Sequence, residues 1–436
     1  MRKLFYLLIL FLLFSCDNEK VELQTIPLSN NPTAIEFIAA YGNANAALQD
    51  SNYSEFLKAV KVIYDFAPSY PNMRFLYASA LLQNEYEEEA IHELAELANY
   101  KSPVIYQNLI NTYKPEFEQL DVYDSLVKVS QKNSSPVNNS KLAYTLSEKG
   151  IIAEGVAYDD VTKTLFISSI YKRKIIAIDS TGKITDFIPS GYDGIQGVIG
   201  MEVDPDRRQL WACSAWTRRK KPSGKMDQYS GIYKFNLDNG KLIKKYLLQD
   251  TLDRLVNDIT IHSNGTAFIT ESLQGKVFMI QPEKDSLELF VDSDHYYYAN
   301  GITLSDNEKK LFVAHFSGID QINLNTLEVN RLKTPNNITL GAIDGLAFFN
   351  NSLIAHQSNL GGVFRYYLDE NQDSIASVNV IESSNPYFEI PTTGEIAGNE
   401  YYYIANAQLR RFDENDVIFP DEKLDSVYIL KTTLDN

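Results

Sequence analysis

Ala299-Asn300-Gly301-Ile302-Thr303-Leu304-Ser305 leads across a polar turn into Lys310-Leu311-Phe312-Val313-Ala314. A small residue opens the stretch, apolar and polar side chains alternate at period two before the polar turn, and a second, apolar strand follows it, which is the pattern of an antiparallel hairpin. Five other stretches repeat it. They are Ala153-Glu154-Gly155-Val156-Ala157 before Leu165-Phe166-Ile167, Ile199-Gly200-Met201-Glu202-Val203 before Leu210-Trp211-Ala212, and Val256-Asn257-Asp258-Ile259-Thr260 before Ala267-Phe268-Ile269. The last two are Ile343-Asp344-Gly345-Leu346-Ala347 before Leu353-Ile354-Ala355, and Gly394-Glu395-Ile396-Ala397 before Tyr401-Tyr402-Tyr403-Ile404. They recur every 43 to 57 residues, the length of a propeller blade. Six such units predict an all-β six-bladed propeller over residues 148–436, with few exposed sheet edges. A pair of β-sandwiches would not produce so regular a repeat.

Composition agrees with this reading. The chain has 436 residues, 44% of them hydrophobic, with 28 Tyr and 22 Phe against 5 Met. It is too long for one ordinary domain and too apolar to be disordered, and its aromatic excess suits pleated, half-buried surfaces. With 40 Lys+Arg against 57 Asp+Glu the net charge is −17, which argues against a nucleic-acid partner, because such binding rests on cations that neutralise phosphates.

The amino-terminal third is different. Met1-Arg2-Lys3 and the apolar run Leu4 to Phe14 read as a signal peptide over residues 1–15, too short to span a bilayer. Leu13-Phe14-Ser15-Cys16 resembles the lipobox of bacterial lipoproteins, with Phe14 bulkier than usual. That resemblance implies lipidation of Cys16, a polar tether over 17–32, and a membrane-anchored protein on the periplasmic or outer-membrane side. Only Cys213 then remains, in a strand-like run, so no intrachain disulfide is expected. Residues 33–147 show helical periodicity, as in Ala90-Ile91-His92-Glu93-Leu94-Ala95-Glu96-Leu97. Tyr53 to Ala59 and Tyr86 to Ala90 echo each other about 33 residues apart, with Pro68 and Pro71 between them. This is similar to the tetratricopeptide spacing and implies a surface for a protein partner. A generic helical bundle fits the same residues. Lys132 to Ser140 reads as a linker.

If the first strand of each blade is innermost, its leading residues ring the central channel. Four of the six carry a hard oxygen: Glu154, Asn257, Asn300 and Asp344. Two carboxylates and two amide carbonyls suit calcium, and no cysteine or paired histidine joins them to favour a softer metal. The second strands end in Ser168, Ser214, Glu271, His315, His356 and Asn406, toward the same end of the sheets. Asp258, beside Asn257, reads as a turn cap.

Val256-Asn257-Asp258-Ile259, the stretch from Ala299 to Ser305, Asp344-Gly345-Leu346-Ala347 and Glu154-Gly155 are together similar to motifs of the regucalcin, gluconolactonase and paraoxonase group of calcium-dependent propellers. The resemblance spans residues 148 to 436. It implies Glu154, Asn300 and Asp344 as calcium ligands, with Asn257 a further ligand or a substrate contact, and His356 in an active-site wall. Val156 stands where gluconolactonases usually have Pro, Gly345 where paraoxonases have a second Asn ligand, and no counterpart of the paraoxonase histidine dyad is present.

The activity expected is calcium-assisted hydrolysis of a small lactone, ester or sugar-acid derivative, with Asp344, His356 or His315 as base and Glu271 at the rim. The basic run Arg218-Arg219-Lys220-Lys221 reads as a hairpin tip or an attractor of anionic substrate. The alternative from another class is a non-enzymatic lipoprotein that binds a protein or glycan.

Overall fold

The computed structural model describes residues 31–215, 229–249, 252–335 and 338–435. The signal peptide, Cys16, nearly all of the tether and the basic run at 218–221 lie outside the described residues.

Among the described residues seven α-helices come first: α1 (Ala34–Gln49), α2 (Tyr53–Phe66), α3 (Pro71–Leu82), α4 (Glu87–Ala98), α5 (Pro103–Gln107), α6 (Lys114–Phe117) and α7 (Tyr123–Asn133). Local chemistry sets their starts. Thr33 and Glu36 form a reciprocal capping box on α1, the Asn52 side chain caps α2, and Pro71 occupies the first turn of α3 where its missing N–H is no loss. A turn of π-helix (Asn108–Thr112) joins α5 to α6. One core gathers Phe37, Phe56, Ile63 and Phe66 from α1 and α2, and a second gathers Phe75, Leu94, Leu97, Leu109 and Phe117.

The rest of the chain is a six-bladed β-propeller. Blade 1 runs outward as Ala153–Asp159, Thr164–Ser169, Lys174–Ile178 and Ile184–Ile188, and the first strand is innermost in every blade. The inner strands of blades 2 to 6 are Gly197–Asp204, Val256–Ile261, Ile302–Leu304, Leu346–Phe348 and Gly394–Ala397. Neighbouring inner strands touch in cyclic order, including blade 6 on blade 1, so the ring closes. All six hairpins expected from the repeat are present.

Two details of the stretch before residue 148 were not expected. Lys141–Leu146 is the outermost strand of blade 6, paired with the carboxy-terminal Val427–Thr433, and Val137–Asn138 pairs with the outer strand of blade 5. The propeller therefore begins before the expected boundary: Lys141–Leu146, expected in the helical region, closes the ring against the carboxy-terminal strand, and Val137–Asn138, inside the stretch read as a linker, pairs with blade 5. Glu382 fixes this crossing by accepting from the Asn139 and Ser140 amides at 3.1 and 2.8 Å.

Candidate metal centre

Each inner strand meets the next blade at close quarters. A Cβ on Gly155 would lie 2.1 Å from the Ile199 carbonyl oxygen, and one on Gly301 would lie 2.6 Å from that of Asp344, so only glycine fits there. Hydroxyls complete the stitching: Ser168 Oγ accepts from the Gly155 amide at 2.7 Å, and Thr270 Oγ1 accepts from the Asp258 amide at 3.0 Å and donates to the Asn300 carbonyl at 2.7 Å. In blades 1, 2 and 3 a bulge interrupts the ladder at the start of the inner strand. A bulge re-aims side chains, and it is where Glu154, Asn257 and Asp258 turn into the channel.

Glu154, Asn257, Asp258, Asn300 and Asp344 line one cavity, with Ile199, Gly200, Gly345 and Thr393 between them. Its volume is about 10 Å³, near the minimum that holds a single water or bare ion. The hydrogen bonds leave oxygen, not nitrogen, for that space. Asn257 donates its amide N–H to Ser272 Oγ at 2.8 Å and Asn300 donates to Asp344 Oδ1 at 2.8 Å, which leaves both amide oxygens without a donor among the described residues. Asp344 Oδ2 accepts from Ser358 Oγ at 2.7 Å. Glu154 Oε2 is buried and has no hydrogen-bond partner among the described residues.

The electrostatics are those of an unbalanced cluster. Burial and then the charges of Asp344 and Asp258 raise Glu154 well above the usual carboxylate range. Burial pushes Asp258 up to about 7 against the opposing amides of Ile259 and Ile302, and Asp344 up to about 6 against Ser358 and Asn300. On the inner strands of blades 2 and 6, Glu202 is raised well above its ordinary value by burial, Glu395 and Asp258, and burial lifts Glu395 to about 7. A buried carboxylate without a cation takes up a proton instead.

Three further candidates fall elsewhere. His356 is buried between blades 5 and 6, with Nε2 2.9 Å from the Tyr401 hydroxyl and its ring against Tyr403, and burial lowers its pKa to about 3. His315 stacks on Tyr296 at 4.8 Å, with Ser317 Oγ 3.1 Å from Nδ1 and Asp320 3.4 Å from Nε2; burial and Arg331 hold it in the neutral form. Glu271 accepts from the amides of Leu255, Leu273 and Gln274 at 2.8, 3.1 and 2.9 Å, so it staples two loops instead of facing a substrate. None of the three lines the cavity. Conversely, the turn-cap reading missed Asp258. It bonds the next amide as a cap does, at 3.0 Å, but it also lines the channel. The signal was its register: Asp258 stands where Gly155, Gly301 and Gly345 follow the other three oxygen residues.

Among the described residues no group of three or more His, Cys, Asp or Glu is placed to hold a metal by itself. The channel set depends on amide oxygens for the remainder, a donor mixture that fits a hard cation.

No family model and no curated protein matches this chain. Solved structures do. A gluconolactonase from Xanthomonas campestris is 13% identical, covering 67% of this chain and 95% of its own at a TM-score of 0.46. The calcium-binding protein regucalcin from Agrobacterium tumefaciens is 13% identical, covering 67% and 96% at 0.47. Virginiamycin B lyase from Staphylococcus aureus is 16% identical, covering 68% and 100% at 0.46. Fold does not imply function, so function here has to come from the site. Fold and site together define a six-bladed propeller with a helical region ahead of it and a ring of five acidic and amide side chains in its channel.

Proposed function

We propose that the protein is a calcium-dependent hydrolase of small lactones or esters, working at the channel mouth that Glu154, Asn257, Asn300 and Asp344 surround. The observation that carries this reading is the buried Oε2 of Glu154 beside two amide oxygens, none of the three with a donor among the described residues. Bound there, calcium would polarise a substrate carbonyl and stabilise the oxyanion that develops on it. The chain's own part is positioning. Asn300 and Ser358 hold the Asp344 carboxylate from two sides, and the Ile259 and Ile302 amides hold Asp258 at 3.0 and 3.2 Å. A cavity of about 10 Å³ has no room for a lactone, so the substrate sits above it, at the face where the loops between blades emerge. The test is turnover of a lactone and aryl-ester panel by the mature chain, with calcium and with chelator. Turnover that ignores chelation and survives Asp344→Ala would sink the proposal.

The position of the two imidazoles favours a second reading. With His315 and His356 both buried away from the cavity, the site has no histidine base, as suits a cation-stabilised module that binds a protein or glycan. Calcium binding without turnover on any panel member would select it. The extracytoplasmic lipid anchor at Cys16 belongs to either reading, and loss of fatty-acid labelling in Cys16→Ala tests it.

A further inference from the structure

The helical domain docks on the propeller at one particular place. Phe37 and Phe66 pack on Phe316 with ring centroids 5.5 and 6.4 Å apart, Phe37 meets Tyr297 at 5.4 Å, and Tyr70 meets Phe316 edge-on at 5.0 Å. The Ala34 amide donates to the Asp294 carbonyl at 2.6 Å, and the His295 ring lies 3.1 Å from the Pro32 carbonyl. All these propeller residues lie on loops at the end of the ring where the inner strands begin, so the helices share a face with the candidate metal centre.

Two further loops at this end carry Asp344 and the residue that holds it. On the first, the Leu340 amide donates to Ser69 Oγ at 3.3 Å. A Cβ on Gly341 would be 2.9 Å from Tyr70 Cβ, so this glycine is needed for the helices to approach. Asp344 follows three residues later. On the second, Ser102 Oγ, at the start of α5, donates to the Leu360 carbonyl at 3.2 Å, and the Asn359 side chain stands near the Tyr70 hydroxyl, opposing the rise that burial gives it. Ser358, which donates to Asp344 Oδ2, is the next residue back from Asn359. Tyr70 is 6% exposed, with its Cβ against Gly341 and its hydroxyl near Asn359.

We propose that the helical domain, through Ser69, Tyr70 and Ser102, is the positioning element for Asp344 in the channel, so that helical docking and cation binding are energetically coupled. The inference rests on the cation site proposed above. Loops are ordinarily the mobile parts of a scaffold, and a carboxylate that must meet Asn300 and a cation needs its loop fixed. The coupling is reciprocal: an occupied site tightens the helical contacts as much as those contacts tighten the site.

The test uses the mature chain and two readouts, calcium affinity by calorimetry and hydrogen exchange of backbone amides. Tyr70→Ala with Ser102→Ala strips the clamp from the helical side. Gly341→Ala wedges it open from the propeller side and leaves the helical core intact. Both should weaken calcium about tenfold and speed exchange at 343–345 and 357–360, with 154–156 and 257–259 unchanged. Tyr70→Phe, which keeps the ring, should bind within about twofold of the parent. Leu94→Ala, in the second helical core, should lower the melting temperature without changing affinity. Unchanged affinity and exchange in the clamp variants overturns the proposal, as does equal weakening by Leu94→Ala, which would mark a general loss of stability. If the parent chain binds no calcium, the cation reading falls and exchange alone decides: unchanged exchange at the two loops then overturns the clamp as well.

Discussion

Blades 1 and 4 bury aspartates beside arginine, whereas the channel buries carboxylates beside one another. Asp159 in blade 1 takes Arg208 of blade 2 bidentately at 2.7 and 2.8 Å, and although burial works to raise it, that guanidinium and Thr162 hold it down at about 2. In blade 4, burial likewise opposes ionisation of Asp320, but Arg331 overrides it and keeps the carboxyl well below its usual range. Glu154, Asp258, Asp344, Glu202 and Glu395 are pushed the other way, and the charges acting on them are mostly each other's. The same burial thus produces opposite protonation according to whether the fold supplies a cation. Where the fold does, the group is structural. Where it does not, the carboxyls hold protons, which the cation proposed above would displace.

The largest effect should come from breaking an internal pair. Arg331→Met strands the fully buried Asp320 beside a neutral imidazole and should cost about 3–5 kcal/mol in urea unfolding, with or without calcium. Next is calcium itself. At a hundredfold excess over Kd it should stabilise the parent by about 2.7 kcal/mol, and Asn300→Ala should abolish most of that shift in thermal melts while changing the calcium-free protein little. Equal calcium shifts in Asn300→Ala and the parent would remove Asn300 from the site. Glu271→Gln weakens the staple on the Leu255, Leu273 and Gln274 amides and should cost about 1–3 kcal/mol while leaving the calcium response intact. A lost calcium response would return Glu271 to the site.

The subtlest contrast is in pH. Asp344 at about 6 and Asp258 and Glu395 at about 7 lie above the ~4 of an unfolded carboxyl, so without calcium the folded state binds more protons than the unfolded one in that window. Stability contributed by these groups is fully present below pH ~4 and is lost as pH rises through 6 to 7. Asp159 runs the opposite way: its contribution is present above pH ~4 and lost as pH falls toward 2. Chelated protein should therefore melt highest near pH 4 to 5, and calcium should flatten the upper limb alone. A calcium-free melting curve flat from pH 5 to 8 would contradict the channel assignment.

Much of this was legible in the sequence for a physical reason. A blade is a local object: alternation at period two marks each hairpin, and the recurrence of Glu154-Gly155, Asn300-Gly301 and Asp344-Gly345 marks where each inner strand begins. The helical region was legible from its apolar periodicity, but Pro71, read as falling between two helical hairpins, opens α3, and the Thr33 capping box that starts α1 was not read. Asp258 escaped because an Asx residue in a turn is the common case, and only its register against three glycines separates it from one. His315, His356 and Glu271 were placed at the right end of the sheets but given the wrong surroundings. A strand end says which face a residue is near and nothing about which neighbours enclose it.

By itself, then, the sequence determined six blades, a helical region before them and four oxygen residues at the leading edges of inner strands, because hydrogen-bonded hairpins and capped helices are specified by residues close together in the chain. Tertiary structure alone decided that residues 141–146 close the ring, that Asp258 joins the channel while two histidines leave it, and that helices from the first third brace the loop of Asp344. Each of these depends on contacts between segments tens to hundreds of residues apart, where burial, charge and the lack of a Cβ act only once the ring has closed.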